Sequence, residues 1–551
     1  MEKTAIFCYN KSMKKEEILS KFNNSNDEEK QAILLSLLLD INKKEDTIVS
    51  QNTTINNQKN NIEHLEELVA YYKNLIFGKK SENIKVDPGQ LSLFDELEVE
   101  ETIDELENKI QEINGYKRRP KGSKNLVNDD NNFPVEIIEH RKDDLSCPNC
   151  GSKLKEIGYD VRKELCVVPA QYYIKEHRYF KYTCPICSKM EQVEREIVPF
   201  PNSMYSPSLV GKFIYDKYAL SLPFYRQEQS YNDLGINISR SNIINYVSRA
   251  CELLKPLYDK FIEIIKSVDI VHGDETRLKV LSEKNEGGNV KTNYVWLFRT
   301  SQSFDKQITI YYYNNGRKYE NVTEFFKNDT KEVRYIHADG YEAYEHVEGY
   351  KLVSCMAHAR RKFVEALRII SSPSSKKYKV CNNYITLIGQ LYKYEQQYKE
   401  DKISYEKRKE RRLIDEKPIL DVFFSNLNSD SLKVLPESKL GQAISYSLSR
   451  EESLRRYLED GRLEIDNNQA EHLAKHYAVG RKNWLFCDNP NGAVKSCIMY
   501  TIVQTSIANN LKPEAYIVWL LEHISTTNVS DIESLAPWST LIPDEIKRKD
   551  D

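Results

Sequence analysis

Val268-Asp269-Ile270-Val271-His272-Gly273-Asp274-Glu275-Thr276 and Val333-Arg334-Tyr335-Ile336-His337-Ala338-Asp339-Gly340-Tyr341 are the segments from which the architecture follows. Each is a short apolar or aromatic run leading to an Asp beside a small residue. Alternation along the second run puts Val333, Tyr335, His337 and Asp339 on one face of a strand. An Asp at the carboxyl end of a strand escapes the core while its backbone stays rigid, which is where α/β sheets present catalytic groups. Taken singly, each Asp would read as a turn or cap residue. Two such strand ends in one chain point to a paired acidic site. Further strand-like runs at Tyr294–Thr300, Gln307–Tyr313 and Leu352–Ser354 are separated by polar turns.

Magnesium prefers hard oxygen ligands, usually one or two carboxylates plus substrate phosphate oxygens. A pair of such ions stabilises both the attacking and the leaving oxygen of an in-line phosphoryl displacement. A third carboxylate is offered by Ile465-Asp466-Asn467-Asn468-Gln469-Ala470-Glu471-His472. Asn468 and Glu471 also have capping-box spacing, so Glu471 is either a metal ligand or a backbone cap. Gly480-Arg481-Lys482-Asn483-Trp484-Leu485-Phe486 sets two cations before aromatic residues. That pattern either binds phosphate and stacks a base or ends a helix with cations on its dipole and rings in the core. In His358-Ala359-Arg360-Arg361-Lys362 the cations begin a helix, where they oppose its dipole. A role facing a ligand follows there.

Outside this region the chain changes texture. Leu34, Ile41, Ile48, Ile55, Ile62, Val69 and Ile76 form a seven-residue repeat, either a coiled-coil seam between copies or one face of a helix packed on its own chain. Residues 95–107 hold eight acids in thirteen positions and residues 117–124 five bases in eight, a linker composition. Cys147-Pro148-Asn149-Cys150 and Cys184-Pro185-Ile186-Cys187 are two knuckles with 33 residues between them, four thiolates suited to one tetrahedral structural zinc ion. Leu222-Pro223-Phe224 opens a helix, Gly235 marks a turn, and Ser239–Ala250 forms a second helix: a helix-turn-helix or a plain helical hairpin. Residues 360–460 are charged and helical.

The 551 residues, 40% hydrophobic and 30% charged, suffice for several globular cores. A net charge of -3 leaves nucleic-acid binding to local basic patches. No apolar run approaches a membrane span: Ala32–Ile41 is ten residues long and includes Ser36 and Asp40. A soluble intracellular protein is expected, and eleven cysteines are too sparse for a disulfide scaffold.

These motifs together resemble the large transposase of the insertion sequence 66 family. The resemblance is carried by Phe77-Gly78-Lys79-Lys80-Ser81-Glu82, the Cys147/Cys150/Cys184/Cys187 knuckles, Leu222-Pro223-Phe224-Tyr225-Arg226-Gln227, Gly273-Asp274-Glu275-Thr276, Ala338-Asp339-Gly340-Tyr341, Ala357-His358-Ala359-Arg360-Arg361-Lys362-Phe363, and the stretch from Asp466 through Glu471 to Phe486. Pro513-Glu514-Ala515-Tyr516 and Leu535-Ala536-Pro537-Trp538 match its C-terminal portion. The resemblance implies a multidomain α+β protein with an RNase H-like catalytic core and a helical insertion. The order would be a helical, coiled-coil region at 1–82, a charged linker at 83–134, a zinc module at 135–200 and a helix-turn-helix-like DNA-binding region at 201–264. The core would occupy 265–365 and 456–510, split by the insertion at 366–455, with a C-terminal element at 511–551.

The resemblance also implies a catalytic triad of Asp274, Asp339 and Glu471 holding two Mg2+ (or Mn2+), with DNA contacts from Arg481, Lys482, Arg360, Arg361 and Trp484. The expected reaction is cleavage at the element ends followed by attack of the freed 3′-hydroxyl on target DNA. The alternatives are an RNase H-like nuclease without strand transfer and a zinc-containing DNA-binding protein with a decayed core. Expected partners are double-stranded DNA, a second copy of the chain and small accessory proteins of the same element, in a bacterial cytoplasm near the nucleoid and without a membrane. Met356 stands where the family usually has Trp, and His472 where it usually has Arg.

Overall fold

The computed structural model describes residues 15–77, 172–183, 190–192, 194–285, 287–327, 334–370 and 375–548. The four knuckle cysteines and the charged linker lie outside them. The chain divides into two units, one formed by residues 83–196 and the other by residues 1–82 with 197–551. In the first, strands β1 (Lys181–Thr183) and β2 (Met190–Gln192) pair antiparallel, Thr183 opposite Met190, on either side of the segment that carries the second cysteine knuckle.

In the second unit, α1 (Lys15–Asn24) is followed by the 51-residue α2 (Asp27–Phe77). The break is a reciprocal cap. The Glu29 N–H donates to Asn26 Oδ1 at 3.0 Å, and the Asn26 N–H donates to Glu29 Oε2 at 3.2 Å. The seven-residue stripe on α2 stands outward, with Leu34, Ile41, Ile48, Ile55, Ile62 and Val69 between 48% and 58% exposed. α3 (Pro207–Tyr218), α4 (Phe224–Asp233) and α5 (Arg240–Ile265) follow. Gly235 turns the chain after α4 at φ 75°, which a Cβ disfavours. Ser239 caps α5, and Ile243, Val247, Ala250, Leu254, Leu257 and Phe261 bury one face of it at three- and four-residue spacing. Beyond the expected Ala250, α5 continues through Pro256 to Ile265, because that face is the sheet's cover.

The sheet has five strands: β3 (Ile270–Lys284), β4 (Val290–Thr300), β5 (Thr309–Asn314), then, after α6 (Tyr319–Phe326), β6 (Arg334–Ala338) and β7 (Tyr350–Ser354). Its order is β5-β4-β3-β6-β7. β3, β4 and β5 are antiparallel neighbours, whereas β6 runs parallel to β3 and β7 parallel to β6. All five runs expected from the sequence are strands. The bounds shift by a few residues in the others, and β3 differs most in length. β3 does not end before Asp274 but continues to Lys284, because β4 pairs with it from Val271↔Thr300 to Lys279↔Thr292. Only the parallel pairing with β6 stops, at His272↔His337. Asp274 thus sits within a strand, just past the end of its parallel half.

β5 is an edge strand, and a helix covers it. In α14 (Pro490–Ala508), Thr505 Oγ1 accepts from the Thr309 N–H at 3.2 Å and Thr501 Oγ1 accepts from the Tyr311 N–H at 2.9 Å. Two hydroxyls thereby satisfy edge donors that would otherwise invite strand addition.

Between β7 and α14 come α7 (Met356–Ile369), a helical excursion of α8 (Lys376–Glu400), α9 (Tyr405–Asp415), α10 (Lys417–Ser431), α11 (Lys439–Leu448) and α12 (Glu451–Arg455), and then α13 (Asn468–Trp484). α15 (Pro513–His523) packs beyond α14. The excursion returns onto the sheet at the second acidic strand. The Tyr446 hydroxyl donates to the Asp339 carbonyl at 2.7 Å, and Arg450 Nη2 donates to the Gly340 carbonyl at 2.8 Å. Gly340 makes this approach possible. It holds φ 87°, and a Cβ there would meet Arg450 Nε at 2.5 Å and the Tyr446 hydroxyl at 3.2 Å. Gly340→Ala should destabilise the protein by about 1–3 kcal/mol. Urea unfolding checks this, and an unchanged midpoint would show that the turn relaxes freely.

Candidate active site

β3 and β6 bring Asp274 and Asp339 to equivalent positions, each two residues beyond the last parallel pair, His272↔His337. The rings of His272 and His337 lie 4.9 Å apart, so this face of the two strands is shared. Each Asp is oriented by a neighbouring backbone N–H: Asp274 Oδ1 accepts from the Glu275 N–H at 2.8 Å, and Asp339 Oδ1 accepts from the Tyr341 N–H at 2.8 Å.

Asn467, the first cap of α13, fixes the third acid. Its side chain does not cap the helix. Instead Oδ1 meets His272 Nδ1 at 2.8 Å, Nδ2 donates to the Gly273 carbonyl at 2.8 Å, and the backbone N–H donates to Cys355 Sγ at 3.2 Å. The buried side-chain amide therefore ties α13 to β3, and the backbone N–H ties it to the β7–α7 junction. Glu471 follows one turn later, its N–H donating to the Asn467 carbonyl at 3.2 Å. Its carboxylate is 8% exposed at the residue level and closes no capping box. Oε2 accepts from Arg361 Nη2 at 3.1 Å, and Oε1 lies 3.3 Å from His358 Nδ1. Asp466, not Glu471, accepts locally: its Oδ1 takes the Asn468 N–H at 3.1 Å.

The three acids share one electrostatic neighbourhood. The Asp274 carboxyl is pushed well above the ordinary carboxylate range, first by burial, then by the charge of Glu275, and further by Asp339 and Glu471.

Glu275 is the group that sequence reasoning did not single out. Its side chain is buried and tied, Arg317 Nε donating to Oε1 at 2.9 Å and the Tyr344 hydroxyl to Oε2 at 3.0 Å. Burial and Asp339 raise its carboxyl, while Arg317 pulls it back. Arg317 in turn lies 3.8 Å from the centre of the Tyr341 ring. Glu275 therefore braces the Asp274 strand against the Asp339 turn. The adjacent acid in the motif was the available signal.

The expected DNA-contacting residues separate on inspection. Lys482 is exposed. Arg481 crosses to β3, donating to the Arg277 carbonyl. Arg361 lies on Glu471, and Arg360 is buried. Trp484 packs edge-on to Tyr477, with ring centres 5.7 Å apart, and Lys217 lies 5.9 Å from its ring. Met356 is fully buried and His472 is exposed.

Comparison with known proteins gives the same assignment from four directions. Residues 202–495 match the family described as transposase IS66 family, and residues 144–188 match the zinc-finger binding domain of transposase IS66. Residues 64–129 match transposase C of IS166 homeodomain, and residues 501–538 match the IS66 C-terminal element. Three uncharacterized proteins of Sinorhizobium fredii are relatives. y4jD is 26% identical over 86% of this chain and 93% of its own length. y4hP is 27% identical over 71% and 73%, and y4qI 27% over 87% and 89%.

Proposed function

The chain belongs to the transposase family of insertion sequence 66, and from that premise we propose that it cuts DNA at the ends of its element and joins the freed 3′-hydroxyl to target DNA. Its enzyme class is that of a transposase, and DNA is its partner. The observation that carries the finer reading is that β3 and β6 set Asp274 and Asp339 at equivalent positions, each two residues beyond the last parallel pair. The five-stranded mixed sheet, with its antiparallel arm β3–β5 and its parallel β6 and β7, supports an RNase H-like core.

Asp274, Asp339 and Glu471 would hold two magnesium or manganese ions. Such a pair, when bound, activates the attacking oxygen and steadies the leaving one. The chain's residues do the rest. The backbone N–H groups of Glu275 and Tyr341 fix the two Asp carboxylates, and Asn467 fixes the helix that bears Glu471. Arg361, which lies on Glu471, and Arg481, which reaches β3, would neutralise phosphate charge, and exposed Lys482 would track the backbone. Four thiolates from Cys147, Cys150, Cys184 and Cys187 would hold one structural zinc ion. The outward stripe of α2 pairs two copies of the chain, so that both element ends are handled together; small accessory proteins of the element join that assembly.

The test is incubation of the full chain with linear DNA carrying both element ends and a supercoiled target, in Mg2+. The expected products are ends with a 3′-hydroxyl and joined target DNA. Cleavage without joining would favour the nuclease, and DNA retention without cleavage the decayed binder. In the same system Lys482→Ala should weaken DNA binding uniformly across sequences and reduce the salt slope by about one. A salt titration of binding reads that directly, and an unchanged slope would remove Lys482 from the interface.

A further inference from the structure

α7 begins at the junction that Asn467 ties, and its first turn gathers three donor groups of a different character from the aspartates. Cys355 Sγ, His358 Nδ1 and a Glu471 carboxylate oxygen all lie within 4.8 Å of one another. We propose that Cys355, His358 and Glu471 form a site for one zinc-type divalent ion, separate from the magnesium pair, whose occupancy takes Glu471 away from Asp274 and Asp339. Binding stands apart from the function proposed above, whereas the inhibitory consequence rests on it.

Three observations support the site. The first is spacing: ligands about 2.0–2.1 Å from a tetrahedral ion stand about 3.3 Å from each other. Glu471 Oε1 and His358 Nδ1 are 3.3 Å apart. The second is unmet hydrogen bonding. Both of those atoms are buried and form no hydrogen bond among the described residues, so they face each other at a ligand spacing with nothing between them. The third is donor chemistry. A thiolate and an imidazole beside one carboxylate select zinc-like ions over magnesium or calcium, which prefer oxygen throughout. Three protein ligands leave a fourth position open.

The surroundings are arranged as an outer shell. The Asn467 N–H donates to Cys355 Sγ at 3.2 Å, and the start of α7 favours a thiolate there, although burial without metal pushes the thiol up. Arg361 Nη2 holds Glu471 Oε2, leaving Oε1 turned to the site. Arg361 Nη1 lies 3.2 Å from His358 Nε2, so without metal the ring carries its proton on Nδ1. Metal entry therefore moves that proton to Nε2, breaks the Arg361–His358 contact and releases the Cys355 proton to water. The Arg361–Glu471 contact is retained. Bound there, the ion's charge is balanced by the thiolate and the carboxylate.

The experiment is Co2+ titration of the full chain with its tight zinc sites already filled, followed by absorbance. The expected result is one further equivalent with a sulfur-to-cobalt charge-transfer band. Cys355→Ser should abolish the band, His358→Gln should weaken the added equivalent at least about tenfold, and Asp274→Asn should leave it intact. Circular dichroism and melting confirm folding of each variant, and His358→Gln decides if Cys355→Ser does not fold. No added equivalent, or a band that survives Cys355→Ser, overturns the site. In the cleavage assay, zinc added over Mg2+ should stop the wild type at a concentration at least about tenfold below that for His358→Gln. Equal inhibition of both overturns the consequence. If no form of the chain cleaves DNA, the proposed function fails, while the absorbance result still decides the site.

Discussion

Asp274→Asn should reduce strand cleavage by about 10³-fold or more and at the same time make the metal-free protein more stable. The two effects have one cause. The Asp274 carboxyl is pushed up by burial and by Glu275, Asp339 and Glu471, so its charged form opposes folding. The sign follows from linkage. Between the unfolded value, about 3.9, and the raised folded value, the native state holds a proton that the unfolded chain has lost. The stabilisation from that proton is complete below the unfolded value and disappears as pH rises through the folded one. Asn preserves shape and removes the charge. The variant's advantage in melting temperature should therefore widen as pH rises from about 4. Added Mg2+ should raise the wild-type midpoint and leave the variant nearly unmoved, because the ion relieves a repulsion the variant no longer has. Calorimetry with and without Mg2+, cleavage of labelled end DNA and gel retention check the three parts. Wild-type cleavage by the variant would remove Asp274 from the metal site.

Arg412→Ala should have the largest effect on stability, a loss of about 3–5 kcal/mol. Arg412 is fully buried, far from the acids in sequence, and stitches the helical excursion to the segment that returns toward α13. Nε donates to Glu395 Oε1 at 2.6 Å and Nη2 to Glu395 Oε2 at 2.9 Å. Nη1 donates to the Tyr457 carbonyl at 2.7 Å and the Asp460 carbonyl at 3.1 Å, and Nη2 to the Leu463 carbonyl at 2.8 Å. Its guanidinium helps hold Glu395 at about 2, while burial and Glu395 push neighbouring Glu416 up to about 9. Ala would leave Glu395 buried with Arg408 as its remaining cationic partner and take the Arg412 donor from the Tyr457 and Leu463 carbonyls, while the Asp460 carbonyl keeps the Leu463 N–H. Arg412→Met with Glu395→Leu removes both charges and should recover part of the loss. Chemical unfolding of the three proteins measures this. A double variant no better than Arg412→Ala would mean that the carbonyl contacts, not the ion pair, carry the stability.

Several features were legible without tertiary structure because their cause is local. Short β-branched or aromatic runs between polar turns marked all five sheet strands, and Gly235 and Ser239 marked the turn and the start of the second helix in the α4–α5 hairpin. The repeat on α2 was legible as spacing, but only the structure showed that its stripe stands exposed. Glu471 shows the limit in the site. In the first turn of a helix, sequence offers both capping and ligation, since both need a carboxylate there. Trp484 has the same ambiguity: an aromatic after two cations suits a base or a core, and Tyr477 decides for packing here.

The sequence by itself determined that Asp339 follows a strand end, the cysteine spacing and the helical excursion between the second and third acids, because residue type and period suffice for these. Tertiary structure alone decided that Asp274 lies inside β3, that Asn467 serves β3 instead of capping α13, that Glu275 is a brace, and that Arg412 secures the return to Glu471. Each of these depends on which distant donor finds which acceptor. That choice is made when buried polar groups must all be satisfied at once, a condition imposed by the packed core and not written in any single segment.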